Sequence, residues 1–266
     1  MDPMNNRRRR TSLALLATPV ISAFSLLPTP AARAESTGVA RVDLPRFSAE
    51  AVGNRLPAGW THQTLPSVER ANRFELLADD GRTVLRVLSD RSASSLALAK
   101  RIDPAATPLL RWRWRVSNSV AGSDLQRKTG DDYAARVYVL FDLPPERLGV
   151  GDRIKMAAAR LLHGAELPAA ALCYVWGTAQ AVGESGWNAY TDRLRMIVVD
   201  SGKAHAGQWR DVVRDVAADF HTAFGDPVPV ISGIALGADT DNTGERVEAR
   251  FGDLWFEARR QTGGAA

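Results

Sequence analysis

In two runs in the middle of the chain, apolar side chains recur at every second position. Leu109–Val116 reads LLRWRWRV, and residues 133–141 read YAARVYVLF. Alternation with a period of two is typical of β-strands that bury one face. Because Trp112 and Trp114 share one face of the first run, the pattern places both indole rings in the protein core.

Shorter runs elsewhere predict further strands. Asp80-Gly81 lies between alternating runs at 74–77 and 83–89, and this dipeptide is a strong signal for a β-hairpin. Proline and glycine separate the remaining runs, so we predict about nine or ten strands in total. The other predicted strands are 96–102, 171–177, 194–199, 229–236 and 247–257.

Only two segments show the apolar spacing of a helix. In residues 152–163, Asp152 is suited to the N-cap, and in residues 215–224 the side chains of Val216, Phe220 and Phe224 share one side. Strands do not alternate with helices along the chain. The predicted fold class is therefore all-β with two short helices, an antiparallel two-layer β-sandwich of jelly-roll type.

Residues 1–34 have the layout of a cleavable signal peptide. Four arginines precede an apolar stretch, and Ala32-Arg33-Ala34 is a small-x-small cleavage site. The apolar stretch is short and contains Pro and Ser, which disfavours a membrane span. We expect residues 35–266 to form a single β-sandwich domain that is periplasmic or secreted, with no stable membrane insertion after cleavage.

Cleavage changes the charge of the protein. The full chain has 34 Lys+Arg and 30 Asp+Glu, and loss of residues 1–34 leaves 29 of each. This balance gives no support for a nucleic-acid partner or an anionic membrane surface. The single cysteine, Cys173, lies in an apolar run and is interpreted as a small buried side chain rather than a nucleophile.

The polar face of the second central run is the first candidate site. Arg136 and Tyr138 lie two residues apart, opposite the apolar face, and follow a corner that contains Lys128, Asp131 and Asp132. A buried arginine without a partner costs several kcal/mol, so Arg136 should meet solvent, a carboxylate or a ligand. We expect Asp132 to act with it, and loss of Arg136 to weaken binding with little change in melting temperature. A solvated face with cross-strand ion pairs is the alternative.

The loop around residues 183–193 is the second candidate. It presents Trp187 and Asn188, which together could stack on a sugar ring and bind its hydroxyls. The alternative is that Trp187 pins the loop to the core. The two interpretations stay open at this point.

Residues 239–245 form the third candidate. Their alternating Asp and Asn side chains, including Asp241, resemble a calcium loop, but the span is too short for an EF-hand and these residues also favour turns. The four histidines show no metal-binding spacing, and no phosphate loop or nucleophile elbow is present. We therefore predict no metal site and no cofactor, while a metal-binding or ligand-binding role for residues 239–245 stays open as the alternative to a plain turn. A pair of carboxylates for glycoside hydrolysis stays open, because the two partners need not be close in sequence.

Several phrases of the chain resemble a known family. FELLADDGRTVLRVLSDRSAS, LRWRWRV, GDDYAARVYVLFD, LCYVWG and WNAYTDRLRMIVV resemble the bacterial exported proteins grouped as domain of unknown function 3047, over residues 47–256. The resemblance implies a β-sandwich in an envelope protein and implies no activity. The ending IALGADTDNTGE with FGDLWF is also similar to the final hairpin of jelly-roll carbohydrate-binding modules.

Three functions are compatible with these patterns. The first is binding of a glycan, or of another polar or acidic small molecule of the envelope, on one sheet face. The alternatives are a polysaccharide lyase or hydrolase that uses Tyr138 or Asp132 as acid or base, and a structural envelope protein whose arginine face docks a partner. The candidate ligand-binding residues are Lys128, Asp132, Arg136, Tyr138, Trp187, Asn188 and Asp241.

Overall fold

The computed structural model describes residues 39–143 and 170–260, which form two seven-stranded β-sheets with a shared apolar core. The predicted all-β sandwich of jelly-roll type is confirmed. The predicted signal peptide at 1–34 and the predicted helix at 152–163 lie outside the described residues.

Fourteen strands and one α-helix follow one another along the described chain. The strands are β1 (Arg41–Asp43), β2 (Thr61–Thr64), β3 (Arg73–Asp79), β4 (Arg82–Asp90), β5 (Ala93–Ile102), β6 (Leu109–Val116), β7 (Arg136–Phe141), β8 (Ala170–Gly177), β9 (Ser185–Asn188), β10 (Thr191–Ser201), β11 (Arg210–Asp215), β12 (Ile231–Asp239), β13 (Arg246–Phe251) and β14 (Trp255–Glu257). The helix α1 is Val216–Phe224, and short 3₁₀ turns lie at Phe47–Ala49 and Lys128–Gly130.

Strand β6 is the centre of the first sheet. It pairs with β11 along one edge, and along the other edge with β13 near its end and β14 near its start. β13 continues to β4 and β3, and β14 continues to β1. The neighbour of β6 therefore changes from β13 to β14 at residues 252–254, beside Arg113.

The second sheet has the order β2-β5-β12-β7-β8-β10-β9. All its pairs are antiparallel except β8 and β10, which run parallel from Leu194 against Ala171 to Ser201 against Gly177. This pair is an exception to the predicted antiparallel arrangement. It arises because the β9–β10 hairpin places its second strand, not its first, next to β8.

The core lies where β6 of the first sheet faces β8 of the second. Trp112 and Trp114 are buried, with ring centroids 5.4 Å from Tyr174 and 5.9 Å from Trp176 respectively. Each large aromatic removes roughly 200 Å² from water, so this layer contributes much of the apolar burial. The predicted position of both tryptophans in the core is confirmed.

The predicted second helix is confirmed as α1. The carboxylate of Asp215 accepts a hydrogen bond from the backbone N–H of Ala218 at 3.0 Å and caps the first turn. Phe220 is buried, with its ring 4.3 Å from that of Phe141 on β7. The helix therefore closes part of the same core.

The hairpin predicted at Asp80-Gly81 is confirmed between β3 and β4. Both residues have positive φ, 49° for Asp80 and 73° for Gly81. Tight two-residue hairpins of type I′ require this backbone at both central positions, which explains the preference for Asp-Gly there.

Candidate functional site

The outer face of the second sheet carries a small apolar cluster of its own. Residues 117–135, here called the covering segment, contribute Leu125 and Tyr133 to it. Strands β8 and β10 contribute the side chains opposite, which include Cys173 and Met196. The sequence predicted that this outer face is exposed to solvent, but the covering segment buries part of it.

Arg136 lies on this outer face, as its spacing predicts, but only 3% of it is exposed. Its guanidinium is 3.1 Å from carboxylate oxygens of both Asp131 and Asp239. It also donates to the hydroxyl of Tyr138 at 3.2 Å and lies 4.9 Å above the ring of Tyr133. Of the three expected partners, solvent, a carboxylate or a ligand, the structure shows carboxylates, and the covering segment and the end of β12 supply them.

The buried guanidinium stays charged. Burial by itself lowers the pKa of Arg136, but the carboxylate of Asp131, the neighbouring Tyr138 and the carboxylate of Asp239 hold the pKa well above its ordinary value. Arg136 is therefore a fixed positive centre beneath the site, and it has no direct route to a ligand.

Asp132 makes no direct ion pair with Arg136, and Asp239 on the neighbouring strand β12 links the two, since it pairs with Arg136 and has an oxygen within 4.8 Å of the Asp132 carboxylate. Asp132 is fully buried, and its carboxylate accepts hydrogen bonds from the side-chain amide of Asn242 at 3.0 Å and from the backbone N–H of Thr243 at 2.6 Å. The physical reason is the backbone pairing of Tyr133 with Asp239, which sets residue 132 against the loop that follows β12. Asp132 fastens this loop in place.

Asp239 joins Arg136 to a group of carboxylates. Oxygens of Asp132, Asp239 and Asp241 all lie within 4.8 Å of one another. Burial raises the pKa of Asp239 well above its usual value, a hydrogen bond with Asp241 and the two neighbouring carboxylates add to the increase, and Arg136 opposes it. Within the described chain, Oδ1 of Asp239 has no hydrogen-bond donor. A proton shared with Asp241 would satisfy this oxygen.

The same three carboxylates have the chemistry of ligands for a hard cation. The guanidinium of Arg136 already compensates part of their charge, and burial raises the pKa of Asp239. A metal ion at this position would have a buried guanidinium as its neighbour.

Asn188, at the end of β9, and Lys128, at the start of the second 3₁₀ turn, border this network. The side-chain amide of Asn188 donates to Asp131 at 2.9 Å. Tyr190, two residues further on, donates its hydroxyl to the backbone carbonyl of Lys128 at 3.3 Å, and the Lys128 ammonium lies 5.1 Å from the Tyr190 ring. Tyr190 is 58% exposed. These contacts form an open edge beside the buried network.

Trp187 lies apart from the other candidates. Neighbouring residues of a strand point to opposite faces, and Asn188 points to the network. The Trp187 ring packs 5.2 Å from Phe224 of α1, with the Arg195 guanidinium at the same distance, and 39% of Trp187 is exposed. Trp187 therefore packs against α1 and does not join the network.

Two further side chains of the outer face are unsuited to proton transfer. Burial raises the pKa of Tyr138 well above its ordinary value, which makes it a poor base. Burial likewise raises the pKa of Cys173 to about 12 and leaves the thiol inert, as the sequence predicts.

Three residues complete the site that lie in the candidate segments but were not among the predicted ligand-binding residues. Asp131 belongs to the same corner as Asp132, Asp239 ends a strand at the start of the acidic loop, and Tyr190 follows Asn188. Each lies within two residues of a selected position. The sequence therefore located the segments, and which carboxylate or ring points inward depended on long-range pairing.

Comparisons with known proteins identify a matching sequence family and solved structures with a similar fold. Residues 58–255 match the profile of the family described as "Protein of unknown function (DUF3047)". No curated protein sequence matches the chain. Within the described residues, no helix is long and apolar enough to cross a membrane.

Solved structures with a similar arrangement have very different sequences. Endoglucanase 3 of Trichoderma harzianum, from family GH12, is 8% identical, with 84% of this chain and 98% of that chain covered and a TM-score of 0.40. A family 12 xyloglucanase from Bacillus licheniformis is 7% identical, with 83% and 100% covered and a TM-score of 0.42. A Stig cyclase from Fischerella is 12% identical, with 83% and 100% covered and a TM-score of 0.34. Likenesses at this level carry no conclusion about activity.

Proposed function

The chain belongs to the family described as protein of unknown function DUF3047, and we propose that its β-sandwich binds a hydroxyl-rich glycan at an open edge of the second sheet. This edge, here called the rim, consists of Lys128, Asn188, Tyr190 and Asp241. The observation that carries the proposal is the exposed ring of Tyr190, held by Lys128 beside the carboxylate network.

The rim has the two kinds of group that sugar recognition requires. An exposed aromatic ring can pack on the C–H face of a sugar, and fixed polar groups can bind its hydroxyls. The carboxylates of Asp131 and Asp241 contribute to the raised pKa of Tyr190, after burial, which agrees with their closeness to it. Because the carboxylates outnumber the single exposed ammonium, the rim favours neutral or amino sugars over acidic ones.

The buried network supports the rim from below. Arg136 holds Asp131, Asp131 holds Asn188, and Asp132 holds the loop that carries Asp241. Groups fixed in this way lose little conformational freedom when a ligand binds. Arg136 and Asp132 are thus proposed as positioning residues.

A matched pair of aromatic variants tests the proposal. Binding of the purified chain to an array of neutral, amino and acidic oligosaccharides, followed by calorimetry on the best ligand, should show one site. Tyr190→Ala should weaken binding by about tenfold or more, since stacking and a held polar edge are lost together. Trp187→Ala removes an exposed ring on the other side and should change affinity less than about twofold.

Two results would count against the rim. One is the absence of binding to every oligosaccharide on the array. The other is an equal loss in both aromatic variants, since this would show that exposed aromatic area, rather than the rim, retains the sugar.

A second candidate function is glycoside hydrolysis, and the carboxylate pair favours it. Asp239 has a raised pKa and lies beside the exposed Asp241, so one carboxyl group of the pair could carry a proton while the other is ionised. Asp132 and Tyr138 are poorly suited to these roles because both are held in the buried network. Release of reducing ends from the bound oligosaccharide, abolished in both Asp239→Asn and Asp241→Asn, would establish the enzyme over the binding module.

A further inference from the structure

The outer face of the first sheet carries arginines that differ in their pairing. Most of them bind a carboxylate: Arg86 pairs with Glu75 and Glu248, Arg111 with Glu257, Arg115 with Asp79, and Arg250 with Asp79 and Glu248. Among residues 39–143 and 170–260, no carboxylate lies within 4.0 Å of Arg46, Arg82 or Arg113, whereas the neighbouring arginines are neutralised.

The three unpaired arginines line one cavity. It has a volume of about 320 Å³ and lies where the neighbour of β6 changes from β13 to β14. Gly252 and Asp253, from the link between those two strands, form part of its wall. The break in strand pairing thus creates the space, and the arginines supply its charge.

Arg113 is held in this cavity by two neighbours. Its guanidinium lies 4.4 Å from the ring of Trp209, and the aliphatic part of its side chain passes directly over Gly252. A Cβ at position 252 would lie 2.6 Å from Cγ and 2.7 Å from Nε of Arg113, so only glycine leaves this path open. Stacking uses the flat face of a guanidinium and leaves its N–H edge available to an oxyanion.

The acidic residues of the cavity do not cancel this charge. Asp253 already accepts hydrogen bonds from the backbone N–H of Ser48 at 3.0 Å and from its hydroxyl. Arg41, a fourth arginine in the lining, pairs with Asp43 and lies 4.5 Å above Trp255. The other carboxylate in the lining is that of Asp211, which lies across from Arg113 in the pairing of β11 with β6. Three unpaired arginines against the two carboxylates of Asp211 and Asp253 leave a net positive cavity.

We propose that this cavity binds the oxyanion group of a small molecule, a carboxylate or a phosphate. Arginine presents several N–H donors in one plane and binds both groups in a bidentate manner. The volume is at the lower end of the range for small-molecule sites and suits a ligand of about monosaccharide size. The site lies on the first sheet and does not depend on the rim.

Calorimetric titration of the purified chain with sodium glucuronate, inorganic phosphate and glucose tests the proposal, with sodium chloride holding ionic strength constant. One or both anions should bind and glucose should not bind at this site. Tighter binding of glucuronate would assign an acidic sugar as the ligand, and tighter binding of phosphate would assign a phosphorylated one. Failure of both anions to bind would overturn the proposal.

Variants locate the binding. Arg113→Gln should weaken anion affinity by about tenfold or more, the loss expected for a charged hydrogen bond. Gly252→Ala keeps every charge but displaces the Arg113 side chain, and it should weaken binding as well. Arg111→Gln, a paired arginine on the same strand and face, should change affinity less than about twofold.

Two controls separate this site from the others. Thermal unfolding of Arg113→Gln and Arg111→Gln establishes that both variants are folded before affinities are compared. Tyr190→Ala should leave anion binding unchanged, because the rim lies on the other sheet. Equal weakening in Arg111→Gln and Arg113→Gln would show a diffuse charge effect and would overturn the site.

Discussion

Arg136 shows how burial can change the role of a residue whose strand face was predicted correctly. It lies opposite the apolar side chains of β7, where the period of two puts it, but the covering segment removes it from water. Its contacts are Asp131, Asp239, Tyr133 and Tyr138, all from the protein. A residue expected to contact ligand is therefore part of the support of the site.

Replacement of Arg136 should consequently reduce stability. Arg136→Met leaves buried carboxylates without their cation, which typically costs about 3–5 kcal/mol. Arg195→Met is the control, because within the described residues this arginine of the same sheet is bonded to the exposed Ser185 and stacked on the partly exposed Trp187. Urea denaturation gives the free energy of unfolding of each variant. A melting temperature for Arg136→Met equal to that of wild type would show that the guanidinium is not buried in solution.

The raised pKa of Asp239 leads to a prediction about how stability depends on pH. Its folded-state pKa lies well above the ordinary value of about 3.9 for an unfolded chain, chiefly because of burial, so the native state binds the extra proton between these two values. The stability that this proton contributes is complete below about pH 4 and is lost as pH rises through the folded-state pKa. Asp239→Asn cannot lose a proton and should lack this decline.

Urea midpoints measured at intervals from about pH 4 to 9 test the assignment. The free energy of unfolding of the wild type, taken relative to Asp239→Asn, should fall as pH rises, and titration of His62 or other groups common to both proteins cancels in the difference. A relative stability that rises with pH would mean that Asp239 is ionised and stabilised by Arg136 throughout.

Strand β6 is the element that carries both the core and the arginine face. Its tryptophans point inward to β8 and its arginines outward, in alternation. Trp112→Ala or Trp114→Ala should lower the free energy of unfolding by about 3–5 kcal/mol, the range for emptying a large aromatic site. Arg113→Ala should cost far less, since its guanidinium stacks on Trp209 and pairs with no carboxylate among residues 39–143 and 170–260. Chemical denaturation compares the three, and the reverse order would show that the faces are inverted.

The covering segment is the second element with a testable role. At Gly130 a Cβ would lie 2.6 Å from Cβ of Asp124 and 2.8 Å from the carbonyl oxygen of Gly122, so Gly130→Ala must shift the segment. We expect a loss of about 1–3 kcal/mol and faster amide exchange in residues 120–135.

Gly186→Ala is the matched control, because its nearest contact would be an ordinary 3.4 Å to Leu125. Hydrogen exchange followed by mass spectrometry measures both variants. Unchanged protection of residues 120–135 in Gly130→Ala would show that this turn does not hold the segment over Arg136.

At the scale of the whole molecule, removal of the predicted signal peptide would change the balance of charge. With residues 1–34 the chain has a formal net charge of +4, and without them its basic and acidic residues are equal in number. The small-x-small pattern at Ala32-Arg33-Ala34 predicts a mature N-terminus at or near Glu35. Intact mass of the protein recovered from the periplasm or the medium tests this, and a mass that retains Met1–Ala34 would contradict it.

The sequence alone determined the features that depend on local period. Alternation along β6 and β7 gave the inward and outward faces, Asp80-Gly81 gave a hairpin, and the spacing of apolar residues gave α1. These predictions held because side-chain direction in a strand or helix follows from backbone geometry within a few residues. The all-β class followed from the number of such strands.

Tertiary structure decided which side chains contact the outward face of each strand. The alternation along β7 does not predict that residues 117–135 fold over Arg136. Nor does it predict that Asp131 pairs with Arg136 while Asp132 binds the loop after β12. These contacts join residues distant in sequence, and their register is set by pairing across the sheets. The cavity beside Arg113 has the same origin, since it exists only where β6 exchanges β13 for β14.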